Sequence, residues 1–142
     1  MEKLDEIFFY TLEKSIKTYR QFAQQQITKA GFDITIDQWL VLKTIRDNTE
    51  YSQHQIAEKV FKDFASVTRI IELLVKKGFL NRQFHANDRR RFELTITELG
   101  KEINENIYPI IIQNRKQALK SLSKTDIEVF KKYLAKIITN CK

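Results

Sequence analysis

The stretch SQHQIAEKVFKDFASVTRIIELLVKKGFLNRQFHANDRRRFELTIT, from Ser52 to Thr97, decides the fold. It opens with Ser52 and Gln55, which have the spacing of a reciprocal capping box at a helix N-terminus. The apolar residues that follow fall on one side of a short helix, which we expect to end near Phe61. These residues are Ile56, Ala57, Val60 and Phe61.

A second helix is predicted immediately afterwards. The carboxylate of Asp63 can accept hydrogen bonds from exposed amides at the N-terminus of this helix. Gly78 suits the C-terminus, because glycine adopts positive φ freely. Between them an apolar stripe recurs at helical spacing, formed by Val67, Ile70, Ile71 and Leu74. The opposite face is polar and carries Ser66, Thr68, Arg69, Glu72 and Lys76.

Two β-type runs come next, from Phe79 to Phe84 and from Phe92 to Thr97. The segment between them, HANDRRR from His85 to Arg91, contains Asn87 and Asp88, which suit a hairpin tip. Two helices followed by a hairpin are the sequence form of a winged helix-turn-helix. We therefore expect a mainly α fold with a small β-hairpin wing, flanked by N- and C-terminal helices.

The wing carries three successive arginines, which would repel one another at the tip of a narrow ribbon. A polyanion explains this concentration better than folding does, because arginine in a minor groove meets an enhanced negative potential. In the alternative, Asp88 pairs with one arginine to stiffen the wing and leaves the others for DNA. We predict that nucleic acid is contacted by at least one of Arg89, Arg90 and Arg91.

The polar face of the second helix is the predicted reading surface. A helix in the major groove offers its N-terminal residues to base edges. We therefore predict DNA contacts by Ser66, Thr68, Arg69 and Lys76. The alternative is an ordinary solvated face, which is the better interpretation of the helix taken alone; the neighbouring arginines favour DNA.

The segments SVTRIIELLVKKGFLNRQ and NDRRRFELTITELGK resemble the DNA-binding core of the MarR family of bacterial regulators. Asp88 and Arg90 match the wing pattern of that family, and Gly100 matches its glycine. Ile96, where leucine is more frequent, is a conservative departure. The resemblance covers nearly the whole chain. It implies a homodimeric repressor that occludes a promoter at a near-palindromic double-stranded DNA operator and is relieved by a small-molecule ligand.

Length and charge agree with a single DNA-binding domain. We expect one domain over residues 1–142, with dimerisation helices at 1–30 and 98–142 and a winged-helix lobe at 35–97. The net charge of +7 favours a polyanionic partner, although charge alone would fit a membrane surface as well. Because no 18-residue apolar run or signal-like N-terminus occurs, we expect a cytoplasmic protein with no membrane partner.

The flanking regions predict further helices. Residues 1–29 are expected to form one long helix that ends at Gly31, and Thr35 and Gln38 should cap the next helix. Ser123 and Asp126 should open the final helix. Tyr51 is expected to pair as a strand beside the wing, and Pro109 to bend a long helix after Thr97 or to separate two helices. The N- and C-terminal helices carry three long apolar stripes, which is more apolar surface than a small winged helix needs for its core. A two-fold dimer formed by these helices is therefore the economical interpretation.

Four aromatic residues are candidates for an effector pocket. The resemblance implies a pocket for a small aromatic or phenolic effector, with Phe8, Tyr19, Phe22 and Trp39 as candidate lining. An aromatic core and dimer interface is the competing interpretation, and the better one for each residue singly.

Two distant histidines and one cysteine, Cys141, predict no metal site or cofactor. We expect no enzyme; the rival functions are a protein-binding winged helix and a non-specific architectural DNA-binding protein.

Overall fold

The computed structural model describes the backbone of residues 1–142 and every side chain except those of Arg89 and Arg91. A short 3-10 turn, Leu4–Glu6, precedes the first helix. Six helices and one hairpin then follow along this backbone: α1 (Phe8–Lys29), α2 (Ile36–Asp47), α3 (Gln53–Lys59), α4 (Phe64–Lys76), β1 (Leu80–His85), β2 (Asp88–Ile96), α5 (Glu98–Ala118) and α6 (Lys124–Asn140).

The predicted helix boundaries are confirmed by their capping bonds. Thr35, Ser52 and Ser123 each form a reciprocal capping box with the residue three positions later. Asp63 and Thr97 cap α4 and α5 by accepting from backbone amides. Because each cap satisfies amides that lack a partner within the helix, these short polar motifs fix where the helices begin.

The core lies where α2, α3, α4, the base of the hairpin and the middle of α5 meet. Its fully buried side chains include Val41, Leu42, Ile56, Val67, Ile71, Leu74 and Ile107. Burying one such side chain contributes about 1.5–3 kcal/mol relative to leaving it exposed. The apolar stripes of α2 and α4 therefore pack against each other, and α2 also packs against α5.

Gly100 allows α5 to approach the hairpin closely. A Cβ atom at this position would lie 2.2 Å from the carbonyl oxygen of Phe79 and 2.9 Å from the Cγ2 atom of Ile96. Nearby, the Thr97 hydroxyl donates to the carbonyl of Gly78 at 2.6 Å and accepts from the amide of Gly100 at 3.0 Å. This junction fixes the base of the wing against the start of α5.

Three local predictions were wrong. Tyr51 is not in a strand: the sheet has only β1 and β2, and the Tyr51 amide donates to Asn48 in a turn. Phe61 is 95% exposed instead of lying with Ile56, because the chain takes a positive φ of 60° there and leaves the helix. The first helix is preceded by a separate 3-10 turn.

The hairpin also differs from its prediction. A two-residue turn at positions 86–87 closes it, and β2 begins at Asp88, so the arginine cluster lies within a strand and not between strands. The register shifts between the pairs Phe84–Phe92 and His85–Asp88, so β2 carries three more residues there than β1. Such an irregularity locally re-aims side chains, here in the arginine segment. Pro109 lies inside a single continuous α5.

Candidate nucleic-acid interface

The N-terminus of α4 is fixed by a charged cap. The Asp63 carboxylate accepts from the amide of Ser66 at 2.7 Å. This backbone hydrogen bond, aided by a hydrogen bond to the Ser66 side chain, lowers the pKa of Asp63 below its ordinary value of 3.8. The first turn of the helix is therefore held in place at neutral pH by an ionised cap.

The exposed side of α4 gathers the predicted reading residues. Arg69 and Lys76 are exposed and seven residues apart, which places them on one side of the helix at about 10 Å along its axis. Ser66 and Thr68 are half-buried at the flanks of this side. The Arg69 guanidinium donates to the Ser66 hydroxyl at 3.4 Å. The structure thus brings Ser66, Thr68 and Arg69 together, with Lys76 two turns further along.

The start of α3 contributes a residue that the sequence interpretation missed. The side-chain amide of Gln53 donates to the Thr68 hydroxyl and to the carbonyl of Phe64, at 3.3 Å in the second case. On the adjacent position of α3, the His54 ring lies 4.3 Å from the Phe64 ring, centroid to centroid. Gln53 directly follows the predicted cap Ser52, but its reach to the neighbouring helix depends on how α3 packs against α4, which no local sequence signal encodes.

The wing is stiffened through its backbone. Asp88 accepts from the backbone amide of Arg90 at 2.9 Å, and among the described side chains it forms no ion pair with an arginine. The Arg90 side chain is exposed and so remains available to a ligand. The predicted contacts by Arg89 and Arg91 concern side chains outside those that the structure describes.

Aromatic residues support the wing below Arg90. The Arg82 guanidinium carbon lies 5.4 Å from the Phe84 ring centre and 5.6 Å from that of Phe92. The two rings meet edge to face. An open concavity of about 960 Å³ separates this wing from the helix pair, and its lining includes Tyr51, His54, Phe64, Arg90 and Phe92. The lining of this groove therefore combines a cationic side chain of the wing with aromatic side chains of both the wing and the helix pair.

The four candidate effector residues differ in their exposure and surroundings. Trp39 is buried, and its indole nitrogen donates to the Asn104 side chain at 3.1 Å. Tyr19 and Phe22 are half-buried one turn apart on α1. Phe8 is 58% exposed and about 21 Å from Phe22 along the helix. This placement favours a core role for Trp39 and leaves only Tyr19 and Phe22 as neighbours.

An ionic junction links α1 to the turn between α3 and α4. Asp37, in the first turn of α2, pairs with Arg20 of α1. The same carboxylate pairs with Lys62 of the turn at 3.1 Å. All three side chains are 30–40% exposed, so the pairs are screened and their role is positional more than energetic. They connect a terminal helix to the helix-turn-helix.

The described residues give little support to other kinds of site. Among the described side chains, no three histidine, cysteine, aspartate or glutamate residues lie together as metal ligands would. No helix along the described chain combines the length and apolar character that crossing a membrane requires. Cys141 is exposed at the end of α6.

Comparison with known proteins identifies a family for this geometry. The model described as "MarR family" matches residues 34–92, which span α2 to the middle of β2. The chain is also 26% identical over 108 residues to the HTH-type transcriptional regulator SarZ of Staphylococcus epidermidis, covering 76% of this chain and 68% of SarZ.

Solved structures share the fold over nearly the full length. BpsR of Bordetella bronchiseptica superposes with a TM-score of 0.84 at 23% identity, covering 96% of each chain; its structure is described as explaining regulation of DNA binding by 6-hydroxynicotinic acid. MepR of Staphylococcus aureus, solved as a DNA complex, has a TM-score of 0.82 at 21% identity, covering 97% of this chain and 99% of MepR. At these identities the likeness establishes the fold.

Proposed function

The chain belongs to the MarR family and is a winged-helix DNA-binding transcriptional regulator, and on that premise we propose that it is a homodimeric repressor of a near-palindromic operator. The observation that carries the proposal is the exposed polar face of α4 beside the exposed Arg90 of the wing. A net charge of +7 adds a general attraction to DNA.

In the proposed complex, α4 enters the major groove and the wing follows the adjacent minor groove. Ser66, Thr68 and Arg69 face base edges and the nearest phosphates, and Lys76 meets the backbone further along. Arg90, with Arg89 and Arg91, supplies the wing contacts. Asp88 has a structural role, because its bond to the Arg90 amide shapes the wing whether or not DNA is present.

The dimer is proposed from the apolar surface of the terminal helices. Large side chains at the start of α1 and along α6 are more than half exposed in one chain: Phe8, Phe9, Ile16, Phe130, Tyr133 and Ile138. Monomeric proteins rarely expose so much apolar area, and a two-fold partner would cover it. The two α4 helices would then address half-sites about 34–36 Å apart.

Relief by a ligand is proposed through a change in the spacing of the two α4 helices. BpsR, whose DNA binding is regulated by 6-hydroxynicotinic acid, suggests a small aromatic or phenolic effector. The half-buried pair Tyr19 and Phe22 offers a place for it, completed by the partner protomer. From there, Arg20, Asp37 and Lys62 provide a physical connection to the turn before α4. A ligand acts this way only if it binds the two spacings unequally.

We infer a regulatory protein without catalytic activity, because the named relatives are transcriptional regulators. We also infer that it works in the cytoplasm, since it must reach the chromosome. Protein-binding and architectural winged helices are the functions to be tested against this one.

The experiment is selection of binding sites from random duplexes, followed by affinity measurements for the winner and a scrambled control across a salt series. We expect a near-palindromic winner bound at least roughly a thousandfold tighter than the control, with a steep salt dependence. Salt-dependent affinity without a winner would indicate architectural binding. No salt-dependent affinity would refute DNA binding and direct attention to protein partners.

A further inference from the structure

We propose that Gln53 is a specificity-determining residue of the DNA interface, because its amide group and the Phe64 carbonyl together hold the Thr68 hydroxyl in an orientation that presents a hydrogen-bond acceptor to the bases. Gln53 lies at the first position of α3, outside the recognition helix. The inference rests on the proposed function. It adds the kind of base that the operator must have at one position, namely one with a hydrogen-bond donor in the major groove.

The orientation of the Gln53 amide follows from its partners. The side-chain group that faces the Phe64 carbonyl must be the nitrogen, because a carbonyl oxygen can only accept. That NH₂ group has two hydrogens. One points to the carbonyl of Phe64 and the other to the hydroxyl oxygen of Thr68. Both donors of Gln53 are therefore used within the protein, and only its Oε1 atom remains, as an acceptor.

The Thr68 hydroxyl is constrained from both sides. Its single hydrogen is donated to the carbonyl of Phe64 at 3.0 Å. One of its two lone pairs accepts from Gln53. What remains is one lone pair, on a side chain that is half-buried at the edge of the exposed face of α4. In this orientation Thr68 can receive a hydrogen bond from DNA, and it can give one only by breaking its bond to Phe64.

This polarity selects among bases. In the major groove, adenine N6 and cytosine N4 are donors, whereas guanine O6 and N7 and thymine O4 are acceptors. An acceptor-only Thr68 is complementary to an amino group and is left facing another acceptor when thymine or guanine takes that place. Gln53 cannot make the paired donor and acceptor contact that a free glutamine makes with adenine, because both its hydrogens are committed. The operator should therefore carry adenine or cytosine at the base edge that meets Thr68.

The test repeats binding-site selection with Gln53→Leu, Thr68→Val and the double variant. Gln117→Leu is the control, because it removes an exposed amide from α5, outside the proposed DNA interface. The parent protein should prefer adenine or cytosine by about tenfold at one position in each half-site. In Gln53→Leu the Thr68 hydroxyl loses one of the two hydrogen bonds that fix its orientation. It can then turn away from the Phe64 carbonyl and donate to an acceptor base, so this preference should fall to about twofold or less at that position alone.

Further outcomes separate a specificity role from a structural one. Thr68→Val should lose the same preference at the same position, and the double variant should add nothing to it, since the two residues act as one unit. An unchanged preference in Gln53→Leu overturns the inference, as does an equal loss of affinity for every sequence. If the parent itself selects no sequence, the proposed function has failed, which is a different result. Thermal unfolding confirms that each variant is folded.

Discussion

The helix-turn-helix lobe, from α2 to β2, and the terminal helices α1, α5 and α6 use their apolar residues in opposite ways. In the lobe, Val41 and Leu42 of α2 and Val67, Ile71 and Leu74 of α4 are fully buried. In α6, no residue is buried, and Phe130, Tyr133 and Ile138 are 54–60% exposed. The same i, i+3, i+4 pattern therefore completes a core in one region and leaves an uncovered face in the other.

An amphipathic pattern alone therefore does not identify what covers the apolar face of a helix. The lobe closes within one chain because short turns and caps hold α2, α3 and α4 against one another, with α2 also packed against α5. α5 belongs to both regions, since its residues Ile107 and Ile111 are buried in the core whereas Tyr108 and Ile112 are exposed. We expect the lobe to determine which DNA sequence is preferred. We expect the partner that covers the terminal helices to determine how tightly DNA is bound.

The largest expected effect comes from the exposed face of α6. Replacing Phe130 and Ile138 together by serine should convert the proposed dimer to a monomer. Operator affinity should fall roughly a hundredfold or more, because two linked half-sites are lost. Sedimentation velocity and operator titration measure both effects. The control, Lys131→Ser with Lys132→Ser on the same helix, should leave both unchanged; a dimer that survives the first pair of substitutions would place the interface elsewhere.

Next in size is the junction where α5 meets the wing. Gly100→Ala should destabilise the fold by about 3 kcal/mol, since its Cβ atom would collide with the backbone of Phe79. Gly31→Ala is the matched control: its φ of +89° is unfavourable for alanine but its surroundings are open, so about 1 kcal/mol is expected. Urea unfolding measures both. Equal losses would mean that the close contact is relieved by small movements.

A smaller effect is expected at the wing. Arg90→Ala should weaken operator binding roughly tenfold and reduce the salt slope by about one. Stability should stay within about 1 kcal/mol, because the bond from Asp88 goes to the Arg90 backbone and survives the substitution. Arg115→Ala, an exposed charge on α5, controls for net charge. Unchanged affinity with Arg90→Ala would remove this side chain from the interface.

The smallest effect concerns the two aspartates whose pKa is lowered by capping bonds, Asp63 in the lobe and Asp126 at the start of α6. A lowered folded-state pKa contributes stability above the unfolded value of 3.8. This contribution is lost as pH falls through the lower folded value. Asp63→Asn should keep the cap but flatten the fall in unfolding midpoint between neutral and acidic pH. An unaltered pH profile would exclude Asp63 as a source of acid sensitivity.

Much of the fold could be predicted because its signals are local. Capping pairs such as Ser52 with Gln55 satisfy amides a few residues away, so they mark helix starts without tertiary information. Phe61 was misplaced because helical periodicity was extended one residue past the turn. The start of β2 was misplaced because cross-strand register depends on partners that periodicity does not identify.

The candidate site divides in the same way. The polar face of α4 and the arginine cluster could be predicted, since each lies on one continuous segment. The link from Gln53 to Thr68 spans fifteen residues, and the ionic junction at Asp37 joins residues seventeen and twenty-five positions apart. No local pattern encodes such contacts, because they depend on how helices pack.

Local sequence patterns were enough for the element types, the helix starts, the resemblance to the MarR family and the polar face of α4 that is predicted to meet DNA. Only the tertiary structure decided that Trp39 bonds Asn104 inside the core, that Asp88 serves the backbone of the wing, and that Gln53 commits the hydroxyl of Thr68. This is because caps and amphipathic faces involve residues within one or two helical turns of each other. Whether a hydroxyl donates or accepts a hydrogen bond depends instead on every group that packing brings next to it.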